Sequence, residues 1–173
     1  MASYFILMKV CIIYHSETGN TRHVAQHIAS ACGAERLIEV LDCARYNRLT
    51  RFLSQCSRAR REDLTPIDPS NIDVTDYDLI VLGSPVWAFK PTPPIHAAIN
   101  ALTGHTGKPV IGFFTHGGKP GSTEETFTRW CEQRWLKVAG TISVNSRDIE
   151  DESKTDEIVK IINSLRNSSF SGI

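Results

Sequence analysis

The chain has 173 residues, a length that one hydrophobic core serves comfortably and two full domains would crowd. With 41% hydrophobic and 22% charged residues it has the composition of an ordinary globular protein rather than a disordered or fibrous one. Nineteen Lys and Arg balance nineteen Asp and Glu, so no net field draws the chain to nucleic acid or an anionic membrane, and its partners must be read from sites. The apolar opening stretch, residues 4–14, is broken by Lys9 and is shorter than the roughly 18 residues a membrane span needs. No secretory signal pattern surrounds it, so no membrane insertion is expected and residues 1–7 read as a peripheral lead-in, with Met8 an alternative start. Five cysteines, an odd number without a C-x-x-C pair, argue against a disulfide framework or zinc ribbon and for a reduced, cytoplasmic chain.

In chain order, Lys9, Val10, Cys11, Ile12, Ile13 and Tyr14 form a nearly continuous apolar run, as expected of a strand buried on both faces. Val24, Ile28 and Cys32, with Ala25 and Ala29, give the next segment a helical face. A weaker strand is expected near residues 35–41. The long connection that follows, residues 42–77, predicts a helix of its own with Tyr46, Leu49, Phe52, Leu53 and Cys56 on one side. It also carries Arg45, Arg48, Arg51, Arg58, Arg60 and Arg61, opposed by an acidic cluster at Asp148, Glu150, Asp151, Glu152, Asp156 and Glu157. These poles read either as solvated faces or as docking surfaces. Further buried strands are predicted at residues 79–82 and 110–114 and a weaker one at 139–144. Helical faces fall at Ile95, Ala98, Ile99 and Leu102, at Phe127, Trp130 and Cys131, and at Ile158, Ile161, Ile162 and Leu165. A short Ser-rich tail, Asn167 to Gly172, should fray. Strand alternating with helix five times predicts one doubly wound α/β domain over residues 1–173, with five parallel strands.

In such a sheet, ligands bind beyond the carboxyl ends of the strands. The first strand runs straight into Ser16, Glu17, Thr18, Gly19, Asn20 and Thr21 before a helix begins. A helix start leaves about four N–H groups unpaired and carries roughly half a positive charge, so phosphate is its natural guest. Ser16, Thr18 and Thr21 add hydroxyls, Gly19 admits close approach, Asn20 adds an amide, and no Lys or Arg intervenes. The same residues also read as an ordinary capped helix. No G-x-x-x-x-G-K-[ST] and no G-x-G-x-x-G is present, which favours a mononucleotide over a triphosphate or a dinucleotide. Two more turns converge on this rim: Gly83, Ser84, Pro85, Val86, Trp87 and Ala88, and then Thr115, His116, Gly117 and Gly118. Trp87 suits stacking on a flat heteroaromatic ring, or packing on a neighbouring helix. Backbone amides of the Thr115 turn suit the polar edge of such a ring.

These three segments resemble the flavin mononucleotide loops of the flavodoxin family, and the resemblance extends over nearly the whole chain. It implies a five-stranded flavodoxin-like sheet in the order 2-1-3-4-5, with FMN as cofactor. Ser16, Thr18, Asn20 and Thr21, with the N–H groups of Glu17 and Gly19, would hold the phosphate. Pro85, Val86 and Trp87, flanked by Ser84 and Ala88, would line the ribityl chain and one ring face, and Thr115, His116, Gly117 and Gly118 the pyrimidine edge. Flavodoxins are typically acidic and this chain is neutral. After Trp87 it also lacks the glycine that permits a redox-linked peptide flip toward flavin N5, and its prolines predict a stiff loop.

No catalytic side chain is implied. His23 and His27 are spaced as in a zinc helix but lack a further ligand, and no metal site is expected. No G-x-S-x-G elbow is present, and nucleic-acid binding has only the arginine stretch behind it. The first expectation is an FMN-binding electron-transfer protein serving redox partner proteins. The alternative is an FMN-dependent NAD(P)H:quinone-type oxidoreductase, for which a homo-oligomer would build the substrate cavity. A flavodoxin-like interaction domain without cofactor comes last.

Overall fold

The computed structural model of the chain describes residues 8–46 and 50–170. Its sheet grows from β1 (Val10–Tyr14), every residue of which is buried. An apolar strand with two covered faces needs a layer on each side, and the period of two divides its side chains between them. Val10, Ile12 and Tyr14 pack with Val24 and Ile28 and with Ile158 and Ile162, whereas Cys11 and Ile13 join Ile95, Ile99 and Trp130. The first layer is α1 (Asn20–Cys32) and α5 (Ser153–Phe170). The second is built from α3 (Pro93–Ala101) and α4 (Thr123–Gln133), with α2 (Arg51–Arg61) beside α3.

The remaining strands are β2 (Arg36–Glu39), β3 (Leu79–Trp87), β4 (Pro109–His116) and β5 (Lys137–Asn145). They pair in parallel in the order β2-β1-β3-β4-β5, the predicted 2-1-3-4-5 topology. Register places Ile12 beside Leu37 and Val81, and Val81 beside Ile111. All five carboxyl ends therefore share one rim.

Several boundaries differ from expectation. β3 does not end at Leu82: it runs through Gly83, Ser84, Pro85 and Val86 to Trp87, because Lys90 and Pro91 return antiparallel and pair Val86 with Pro91 and Trp87 with Lys90. Gly83, expected in a loop, is an interior strand residue whose missing Cβ makes room for the Phe113 ring, 2.1 Å from where that atom would sit. β4 likewise extends through Thr115 and His116, carried by pairing with β5 as far as Asn145. α5 continues to Phe170, through residues assigned above to a fraying tail; Ser and Asn cost a helix only tenths of a kcal/mol each, and no Gly or Pro stops it earlier. Residues 1–7 and 171–173 lie outside the described residues.

The helix of the long connection forms, and of the predicted face Cys56 is half-buried while Leu53 is turned out. Its buried residues are Gln55 and Ala59, while Leu53 is 70% exposed, because α2 turns its i, i+4 pair toward β3 and α3. Tyr46 precedes the helix and donates through its hydroxyl to Asp42 Oδ2 at 2.6 Å. Leu49 and Arg48 lie outside the described residues, as do the side chains of Arg51 and Phe52. Arg58 donates to the Leu64 carbonyl and sits 5.9 Å above the Tyr46 ring, and Arg61 pairs with Asp63 at 3.0 Å. At the opposite pole His27 lies 3.2 Å from Glu152 and 3.7 Å from Asp156, tying α1 to the acidic cluster.

Glu62, which closes α2 in a left-handed conformation (φ 59°), gathers three elements at once. Its carboxylate accepts from Lys90 Nζ, from Arg129 Nη2 at 2.6 Å and from Trp130 Nε1 at 2.9 Å. Its carbonyl lies 3.0 Å from His96 Nδ1, and the His96 ring stacks on Trp130 at 3.9 Å. Burial acts to raise the Glu62 carboxyl, but the donors outweigh it and hold the group at about 2.

Candidate functional site: a cleft at the carboxyl rim

The rim contains a cleft of about 250 Å³ lined by Glu17, Thr18 and Asn20 from the first turn, Pro85, Val86 and Trp87 from the end of β3, and Thr115, His116 and Gly117 from the end of β4. Gln55 and Ser146 complete it. Thus the three predicted segments meet around one space, brought there by parallel strands that end together.

The first turn is shaped from within. Ser16 Oγ accepts from the amides of Gly19 and Arg22, both at 3.2 Å, so the hydroxyl of Ser16 organises the turn instead of lining the cleft. Gly19 has φ 96° and a Cβ there would enter open space, so the backbone can be approached closely. Asn20 and Thr21, the first helical residues, carry amides that have no acceptor within the helix. Arg22, the nearest cation, is turned away to Glu39 at 2.6 Å. Beside Glu17, which also lines the cleft, the cup consists of uncharged donors and the positive end of a 13-residue helix with no acidic residue in its first turn. That donor set suits a single terminal phosphate.

Thr21 and Thr115 face each other rather than the solvent: their hydroxyl oxygens are 2.7 Å apart and buried, pinning the first turn to the end of β4. Ser84 is likewise turned inward. Its oxygen accepts from the Thr92 amide at 2.9 Å, bracing the start of α3. Ala88 and Phe89 form the two-residue tip of the hairpin with φ 49° and 67°, a left-handed pair usually reserved for Asn-Gly. This tip is tied down from across the rim: Ser122 Oγ donates to the Phe89 carbonyl at 3.3 Å, and a Cβ on Gly121 would lie 2.3 Å from that of Phe89. The stiffness expected from prolines is therefore built by this contact, while Pro93 and Pro94 open α3. His116 Nδ1 lies 2.7 Å from the Gly118 carbonyl, which orients the ring and closes the last turn. Gly118 itself is exposed outside the lining.

Three participants were not anticipated. Ser146 follows β5, and the rule that ligands sit beyond carboxyl strand ends would have pointed to it. His15 is buried at the end of β1, its Nδ1 2.8 Å from the Val40 carbonyl and its ring edge-on to Trp87 at 5.7 Å, so it backs the indole. Burial pushes its imidazole below the usual range and keeps it neutral, so Nδ1 carries the proton given to Val40. Gln55 reaches the cleft from α2, where nothing in the sequence distinguished it from a surface glutamine. Among the described residues five buried side-chain polar atoms lack a partner, and two of them, His15 Nε2 and Gln55 Nε2, are at this site.

With this geometry in view, the likeness to known proteins is decisive. The model of the family described as NADPH-dependent FMN reductase matches residues 8–130, which include all three rim segments and Gln55. The chain belongs to that family. Its cofactor is accordingly FMN, and the neutral cup, the open Gly19 and the flanking Trp87 fit that molecule. A flavoprotein from Lactobacillus acidophilus NCFM, solved in complex with FMN, is 26% identical, covering 85% of this chain and 99% of its own, with a TM-score of 0.63. The fold is also that of flavodoxin 2 from Bacillus cereus (20% identity, 91% and 99% covered, TM-score 0.57) and of Megasphaera elsdenii flavodoxin (19%, 88% and 97%, TM-score 0.52). No curated protein matches the sequence. Among the described residues no helix is long and apolar enough to cross a membrane, and no three His, Cys, Asp or Glu side chains cluster as metal ligands.

Proposed function

We propose that this family member is an FMN-dependent reductase that takes reducing equivalents from NADPH or NADH and passes them to a small acceptor such as a quinone. The observation that carries the reading is the family match across residues 8–130, the segment that supplies every residue lining the cleft but Ser146. FMN, when bound, supplies a two-electron centre that accepts hydride from a nicotinamide and returns electrons to the acceptor.

The chain's own residues bind, orient and shield. The amides of Thr18, Asn20 and Thr21 would hold the phosphate at the helix start, with the hydroxyl of Thr18 and the side-chain amide of Asn20 beside them, on a turn that the Gly19 amide shapes through Ser16 Oγ. Trp87, backed by His15, covers one face of the ring. The turn from Thr115 to Gly118 meets its polar edge, with His116 held in place by its contact with the Gly118 carbonyl. The Ala88–Phe89 tip, clamped by Ser122 and Gly121, has no glycine to let its peptide turn over, which supports hydride chemistry over a carrier that responds to each single electron. No side chain acts as a covalent or acid–base catalyst in this scheme. Cys11 and Cys131 suit no such role, since both are buried and burial pushes their thiols up.

The test is to load the purified chain with FMN and mix it anaerobically with NADH and with NADPH. Rapid bleaching of the flavin by either supports the reductase. Bleaching by neither, with reduction by a protein donor, returns the chain to the role of electron carrier among redox proteins.

A further inference from the structure

Gln55 is a polar side chain buried in the cleft wall. It is 4% exposed, its Nε2 has no hydrogen-bond partner, and it lines the cleft. Buried amide donors are nearly always paired, because leaving one unmade forfeits its hydration without return. The other such atom at this site, His15 Nε2, lies 4.0 Å from Glu17 Oε2, and His15 does not line the cleft. Of the two, Gln55 is the residue that both carries an unpaired buried donor and forms part of the cleft wall, so that a turn of its carboxamide brings Nε2 to a ligand.

Its place in the fold says which part of a ligand it meets. The phosphate cup is on α1, at Thr18 and Asn20. Gln55 comes from α2, which packs on β3 and on the returning Lys90–Pro91 strand, and the thiol of the following residue, Cys56, lies against the backbone of Ala88. Gln55 therefore stands at the Trp87 end of the cleft, opposite α1. We infer that the Gln55 carboxamide is a direct contact for the flavin ring system, donating from Nε2 to a ring acceptor, and that this position trades stability of the empty protein for hold on the cofactor. This rests on FMN occupying the cleft as described above.

An apolar side chain of similar size removes the unpaired donor without leaving a hole. If Gln55 served the fold, such a change would destabilise it; if it serves the ligand, the empty protein loses nothing. The experiment measures, for wild type, Gln55→Leu and Gln55→Met, the melting temperature of the cofactor-free full chain. It also measures the dissociation constants of FMN and of riboflavin, which lacks the phosphate, by quenching of flavin fluorescence. The expected result is an unchanged or higher melting temperature, with FMN and riboflavin both weakened by the same factor, about 5- to 10-fold. Unchanged affinities overturn the inference, as does weakening confined to FMN, which would place Gln55 on the phosphate. A lower melting temperature in both variants would make Gln55 a structural residue. Failure of the wild type to bind FMN would instead sink the reading of the cleft itself, and the inference with it.

Discussion

At its C-terminal end α2 hands Glu62 to three donors, two charged and one indole, and its backbone carbonyl to a fourth group, so that every polar atom there is answered. Two turns earlier the same helix offers the cleft an amide with no partner at all. The two regions share a scaffold, yet the half-buried one is closed on itself and the fully buried one is left incomplete. A satisfied network joins elements: Glu62 connects α2, the Lys90 hairpin strand, α3 and α4. An unsatisfied one at a concave rim is reserved for a ligand, since proteins rarely tolerate such groups elsewhere. The contrast predicts that changes at the rim alter cofactor affinity with little effect on the fold, and changes at Glu62 the reverse.

The largest expected effect is at the phosphate cup. Thr18→Asp sets a carboxylate among donors that await an anion, and FMN affinity should fall by about 2 to 4 kcal/mol, roughly 30- to 1,000-fold, while riboflavin is affected far less. Undiminished FMN binding in a titration would move the phosphate elsewhere and break the comparison at once. Next is Glu62→Gln, which leaves Lys90 and Arg129 facing a neutral amide and should lower unfolding free energy near pH 7 by about 1.5 to 3 kcal/mol with FMN affinity unchanged. Because the Glu62 carboxyl is held at about 2 against an ordinary 4.5, its contribution is complete above the ordinary value and is lost as pH falls through that window. Chemical denaturation of wild type and variant should therefore converge between about pH 4.5 and pH 2, and a constant gap would show that the ionised form is not what stabilises.

Trp87→Ala should weaken FMN and riboflavin alike by about 1 to 3 kcal/mol through lost stacking, using base–aromatic stacking as the measure. Equal dissociation constants in wild type and variant would show that the indole faces away from the ligand. The smallest effect concerns His15. A histidine buried neutral is protonated more readily in the unfolded chain, so stability drops as pH falls below the ordinary histidine value of 6.5. His96 and His105 push in the same direction, so His15→Asn should reduce, not abolish, the fall in melting temperature between pH 7 and pH 5. A fall as steep as that of the wild type would mean that His15 titrates freely.

What the residues announced and what they concealed follows from the range of each signal. The unbroken apolar runs at β1, β3 and β4 spoke for covered parallel strands because burial on both faces leaves no polar position in the run. The turn from Ser16 to Thr21 was recognisable because a glycine ringed by hydroxyl residues at a strand-to-helix junction has a local physical meaning. Strand ends were misjudged at Gly83 and at Thr115, since what prolongs β3 and β4 is hydrogen bonding to Lys90–Pro91 and to β5, which no local composition encodes. On α2 Leu53 was misjudged for a related reason: it is apolar yet exposed, and Gln55 polar yet buried, because the neighbours of α2 come from distant parts of the chain.

The order of residues by itself determined the fold class, the three turns that meet at the rim and the absence of Lys and Arg from the first of them, because periodicity, helix ends and charge are properties of short segments. Only the tertiary structure decided that Thr21 and Ser84 turn inward as braces, that His15 backs Trp87, and that Gln55 enters the cleft. Each of these is a pairing between groups far apart in the chain, fixed when parallel strands align their ends and helices close over them. Whether a polar atom is answered or left waiting depends on what packing brings within 3 Å, and a sequence states the atom without stating its neighbour.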